Sequence, residues 1–174
     1  PASNTRSNSA RAFGEECRVD GMLRHEVSDK LETVDRVESV SFRKCHAKEF
    51  ARKGATTILA CRNMDSAQTA LNQIQAEIPN ALAEIMHLDL ASQKSIHHFA
   101  DEFKAKYNRL DILANNAGIM MVPYGSTEDG FERQMGTNHF GHFALTGLLL
   151  KLLLATPHSR TINVSSSGHM RGVM

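Results

Sequence analysis

An excess of charge of one sign is missing from this chain. Twenty basic and 19 acidic side chains leave a net charge of +1, too little field to steer nucleic acid. No arginine-rich stripe with interleaved aromatics stands in for it. Three cysteines, Cys17, Cys45 and Cys61, form no metal or redox spacing, and their odd number argues against a disulfide framework. That fits a reducing compartment and gives a cytoplasmic expectation, with peripheral membrane association as the alternative. Residues 1–30 contain no apolar core of a secretory signal. The longest apolar stretch, Phe143 to Ala155, is broken by Lys151. It falls short of the roughly 20 residues that cross a bilayer and reads as a buried or subunit-contacting helix. Internal repeats and low-complexity tracts are also missing. The chain starts at Pro1 and stops at Met174 just past a serine-rich strand end, which reads as a fragment.

What is present is ordinary for a globular domain: 174 residues, 41% hydrophobic and 22% charged, enough for one substantial core. Composition changes near residue 44, giving an atypical segment over 1–43 and a regular one over 44–174. In the first, Leu23, Val27, Leu31, Val34 and Val37 recur at spacings of four and three, the period of an amphipathic helix. The first twenty residues read as disordered. In the second, Ala47–Lys53 reads as a helix end with Gly54 beyond it. Ala55–Cys61 is a continuously apolar run, as expected of a buried parallel strand. Asp65 is placed to cap a helix over 66–78, stopped by Pro79. Leu82–Leu88 is a strand, Ser92 caps a helix to about Tyr107, and Leu110–Ala114 is a strand. A helix from about Thr127, interrupted near Gly136 and Gly141, reaches Ala155, and Arg160–Ser165 is the last strand. Strands alternating with helices imply βαβ units and an α/β fold, a partial Rossmann-like doubly wound parallel sheet with helices on both faces.

Polar groups gather where each strand ends: Cys61-Arg62-Asn63, Asp89, Asn115-Asn116-Ala117-Gly118 and Ser165-Ser166-Ser167, with Asn138 on the helix beside them. In open α/β sheets that carboxyl edge is where ligands bind. This ordered series resembles the classical short-chain dehydrogenase/reductase family over about Lys48 to Gly168. The strings Gly54-Ala55-Thr56, Leu88-Asp89-Leu90-Ala91-Ser92 and Thr137-Asn138-His139-Phe140-Gly141-His142-Phe143 resemble its retinol-dehydrogenase-like branch. The resemblance implies an NADP-dependent oxidoreductase that acts on a small lipophilic carbonyl or alcohol. It implies that Arg62 meets the 2′-phosphate of NADP, a role suited to a planar guanidinium. Asp89 would accept from the adenine amino group, and Asn115, Ala117 and Gly118 would line the cofactor's ribose. Asn138 would hold a water of the proton relay through its main-chain carbonyl, and Ser166 would bind the substrate oxygen. The apolar helix ending at Ala155 would contribute to a homodimer. Each residue also has a plainer reading: a solvated arginine, a turn aspartate, an Asn-Gly turn, a serine-rich strand end.

Other pairs point elsewhere. His139 and His142 sit three apart, a spacing metal pairs use, but without a third ligand they read as core or surface histidines. His97 and His98 are adjacent and cannot face one site on a helix. Met120-Met121 reads as pocket lining rather than a copper site.

Two parts of the family's pattern are missing. Its Thr-Gly-x-x-x-Gly-x-Gly loop, which brings main chain close to a pyrophosphate at a helix N-terminus, would place glycines at Val37, Ser41 and Arg43. The preceding strand would be Lys30-Leu31-Glu32-Thr33-Val34-Asp35, too charged on this reading for the middle of a buried parallel sheet. The family's Tyr-x-x-x-Lys pair is also missing, because Tyr107 and Tyr124 are followed four residues on by Asp111 and Glu128. The expectation is an inactive piece of an oxidoreductase. The rival is a non-catalytic Rossmann-like module that uses residues 1–43 to bind a protein partner.

Overall fold

A computed structural model describes residues 32–35 and 42–165, with side chains from residue 47 onward. Five parallel strands form one sheet: β1 (Glu32–Asp35), β2 (Thr56–Cys61), β3 (Ala83–His87), β4 (Ile112–Asn115) and β5 (Arg160–Asn163), in the order β3-β2-β1-β4-β5. The helices are α1 (Phe42–Arg52), α2 (Met64–Glu77), α3 (Gln93–Lys106), α4 (Arg133–Met135) and α5 (Gly141–Ala155). A π-turn over Gly136–Phe140 joins the last two. Strand order reverses between β1 and β4, the switch point at which such sheets open a crevice.

Buried strands are apolar on both faces because helices cover both, and β2 shows the division. Ile58 and Ala60 face Ile96, Phe99, Phe103, Leu145 and Leu149 of α3 and α5. Their alternates, Leu59 and Cys61, face Ala47 and Ala51 of α1 and Ala67, Ala70 and Ile74 of α2. The two-residue period of a strand thus sorts one run of sequence into two cores.

Local chemistry sets the boundaries. Gly54 follows α1 with φ 82, a left-handed conformation that costs glycine nothing. Ser92 accepts from Ser95 N at the start of α3, as the sequence indicates. At α2 the cap is Asn63, whose Oδ1 accepts from Ser66 N at 2.9 Å, and not Asp65. Asn63 still has the extended backbone of a cap, whereas Asp65 lies inside the first turn, where its charge favours the helix dipole. The helix expected from Thr127 begins only at Arg133. Thr127 N donates to Phe131 O, Gly130 N donates back to Thr127 O, and Gly130 takes φ 81, so this segment closes into a turn.

The largest correction is β1. The segment judged too charged pairs with β2 from Glu32↔Thr56 to Asp35↔Leu59 and with β4 from Thr33↔Ile112 to Asp35↔Ala114. It also replaces the helix expected around Val34. Ladder bonds are made by main chain, which any residue but proline supplies. The acidic residues of the strand stand at its two ends, with β-branched Thr33 and Val34 between them. The composition change near 44 falls inside α1, after this strand. The expectations for the first twenty residues, for Leu23, Val27, Leu31 and Val37 as a helix, for glycine positions Val37 and Ser41, and for Ser166 lie outside the described residues.

Candidate functional site

The sheet brings the sequence-selected residues to one edge. Arg62 follows β2 and is exposed; Asp89 follows β3 and is half-buried; Asn115 ends β4, and Ala117 and Gly118 continue from it. Asp89 is partly used by its own turn, its Oδ1 accepting from Ala91 N and its N–H donating to Ser95 Oγ. The turn reading therefore holds for one carboxylate oxygen.

Asn115 is buried. Its amide donates to Thr146 Oγ1 at 3.1 Å and to Asn163 Oδ1 at 2.8 Å, tying β4 to α5 and β5. Asn115 O also accepts from Val164 N. Ala117 is buried, and its carbonyl lies 2.8 Å from Nε2 of the buried His142. A carbonyl only accepts, so that nitrogen carries the proton. Asn138 grips Ile119 at both main-chain groups, Oδ1 accepting from Ile119 N and Nδ2 donating to Ile119 O, each at 2.8 Å. A Cβ on Gly118 would sit 3.5 Å from that Oδ1.

Sequence and geometry meet closely at the π-turn. The helix was expected to break near Gly136 and Gly141; Gly141 N–H donates to Gly136 O, five residues back, and Asn138 sits inside the widened turn. Such turns leave main-chain groups out of the regular ladder and recur at functional sites. Gly141 brings the column against the strand-end loop: a Cβ there would lie 2.4 Å from Leu90 O. Glu132 opens the column by accepting from Gln134 N and Met135 N, and Met121 N donates to Gln134 Oε1 at 3.1 Å.

Beside this lies a cavity of about 420 Å³, between the start of α5 and the end of β5. Asn115, Asn138, His142, Thr146, Asn163 and Ser165 are among its walls. That is ample for part of a small ligand. His142 and Thr146 were not anticipated as site residues. Their signal was available: Asn138, His142 and Thr146 recur every four residues, a polar stripe entering an otherwise apolar helix. The metal pair is not formed. His142 is engaged with Ala117, His139 stacks near Phe143, and the described residues hold no group of three or more potential metal ligands. Met120 and Met121 are 76% and 87% exposed, so they do not line a closed pocket.

A nicotinamide dinucleotide fits part of this edge. The Nδ2 of Asn116 is buried with no partner, a donor facing no protein acceptor at the switch point. At the pyrophosphate position the fit fails in sequence: the connection from β1 to α1 contains no glycine.

Comparison with known proteins agrees with this geometry. Residues 42–174 match the family model described as short chain dehydrogenase. Over 126 residues, 72% of this chain, it is 51% identical to human retinol dehydrogenase 13 and 48% identical to mouse retinol dehydrogenase 11. It spans 38% and 40% of those two proteins, about two fifths of their length. Among solved structures, it is similar to menthone neomenthol reductase from Mentha piperita at 25% identity and TM-score 0.65, covering 80% of this chain and 62% of that one. A short chain dehydrogenase from Escherichia coli complexed with NADPH aligns at 25% identity and TM-score 0.69, covering 82% of this chain and 61% of the other. Among the described residues no helix is long and apolar enough to cross a membrane.

Proposed function

The chain belongs to the short chain dehydrogenase family, and on that premise we propose that its fold serves NADP-dependent interconversion of a carbonyl and an alcohol on a small lipophilic substrate. Relatives named retinol dehydrogenases support the lipophilic substrate. A dinucleotide bound here would accept or donate the hydride. Arg62 at the end of β2 meets the 2′-phosphate through its guanidinium fork, and Asp89 takes the adenine amino group. Asn115, Ala117 and Gly118 border the ribose. Ser166 polarises the substrate oxygen, and the main-chain carbonyl of Asn138, which lies within the π-turn, holds a water of the proton relay. The observation that carries this reading is the convergence of Arg62, Asp89, Asn115–Gly118 and the π-turn at one sheet edge.

The 174 residues by themselves are inactive on this proposal. They contain neither the glycine loop nor a Tyr-x-x-x-Lys pair, and acid–base catalysis needs a group within hydrogen-bond reach. Titrating NADPH and NADH into the purified chain, followed by nicotinamide fluorescence and by the amide resonances of Arg62 and Asp89, tests both parts. Neither nucleotide should saturate the chain in the micromolar range. At higher concentration NADPH should move Arg62 further than NADH does. Micromolar saturation would overturn the damaged phosphate site, and equal shifts with both nucleotides would overturn the assignment to NADP.

A further inference from the structure

The polar stripe on the helical column lies along β4 and its exit in a fixed register. Thr146 holds Asn115, His142 holds Ala117 and Asn138 holds Ile119. Each step of four residues along the helix matches a step of two along the facing chain, running in the opposite direction. The steps are of comparable size: four helical residues rise about 6 Å, and two residues advance at most about 6.6 Å in a strand. Such a match lets three rungs form in one register even though the π-turn interrupts the helix between Asn138 and His142 and the facing segment leaves the strand at Asn115. The rungs are also connected, because Thr146 Oγ1 donates to His142 O at 2.8 Å while it accepts from Asn115.

We propose that His142 and Thr146 are positioning residues which, with Asn138, fix the path of Asn115 to Ile119 as that segment leaves the sheet and passes the switch point. His142 is the central rung. It is buried, and its Nε2 proton is committed to the one carbonyl between Asn115 and Ile119 that the column reaches. A buried donor removed from such a site leaves a carbonyl to find another partner, a larger loss than that of a solvent-facing bond. The function of this segment in ligand binding rests on the reading in the preceding subsection; the register itself does not.

Amide hydrogen exchange on the 174-residue chain, without nucleotide, separates the two. His142→Ala should speed exchange at Ile119 and Val164 about tenfold, while Thr57 and Leu88, bonded on the β2–β3 side to Leu82 O and Cys61 O, keep their rates. His142→Gln, whose side-chain amide can donate to the same carbonyl, should return both to within about threefold of the parent. Thr146→Val keeps the shape and removes only the hydroxyl at a half-buried position, so it decides the matter where His142→Ala does not fold; it too should speed Val164 and Ile119. Unchanged rates at these two amides would overturn the proposal. So would an equal acceleration at all four, which marks loss of global stability, or a failure of His142→Gln to restore what His142→Ala loses. A negative NADPH titration leaves each of these outcomes readable.

Discussion

Glu132 carries two acceptor oxygens into a place where two main-chain N–H groups need them. The N–H groups of Gln134 and Met135 beside its carboxylate hold its pKa below the usual glutamate range. A pKa lowered on folding contributes stability above the ordinary glutamate value, and that contribution is lost as pH falls through the lowered one. The amide shifts of Gln134 and Met135 should therefore titrate together with a midpoint below about 4.3; a midpoint at or above it would show that the cap is not formed. Residue-scale legibility was uneven for a physical reason. Ser92 and Gly54 announce caps because little else suits those positions. Between Asn63 and Asp65 the sequence offers two capping side chains two positions apart, and only the point where the backbone turns helical separates them. His142 was readable as a buried histidine, but its partner, a carbonyl 25 positions away in sequence, was not.

Elements behave similarly. Strands β2 and β4 were legible because apolar runs between turn residues have few other uses in an α/β pattern, β3 and β5 from their places between helices in the βαβ alternation, and the broken helix was legible from its two glycines. Those in and beside α5 do different work. Gly147 has nothing within 4 Å of where a Cβ would be, whereas at Gly141 that atom would meet Leu90 O at 2.4 Å and Leu90 Cβ at 2.7 Å. Alanine is the better helix former at both. Gly147→Ala should stabilise the chain by about 0.5–1 kcal/mol, while Gly141→Ala should cost about 1–3 kcal/mol as the helix is pushed off the strand-end loop. Urea denaturation of the two variants checks this; equal effects would mean that the close approach to Leu90 is relieved at no cost.

For the molecule at large, β1 joins two halves that otherwise share no strand pairing among the described residues: β2 with β3 on one side, β4 with β5 on the other. Its central place was hidden from a reading by hydropathy because the pairing is a main-chain matter and depends on partners far along the chain. The outer face of α5 is the other feature at this scale. Phe143, Leu150 and Leu154 are 73%, 46% and 78% exposed, and it is on this apolar face that a homodimer of the kind expected from the family resemblance would close. Leu154→Glu should then shift the chain toward monomer in sedimentation velocity, and an unchanged profile across concentrations would remove α5 from the interface. The π-turn has one more consequence. A helical turn that takes in one extra residue sets all that follows back by about 100° relative to an unbroken helix. Gln134 and His142 would stand about 80° apart on an unbroken helix, and the turn brings them to within about 20° of one bearing, as a shim realigns two cams on one shaft. Gln134 thereby steadies Met121 from the same side on which His142 and Thr146 address the end of β4, and winding these residues into an unbroken helix would swing one set off its target, whereas deleting one residue between Gly136 and Gly141 would leave the two aligned.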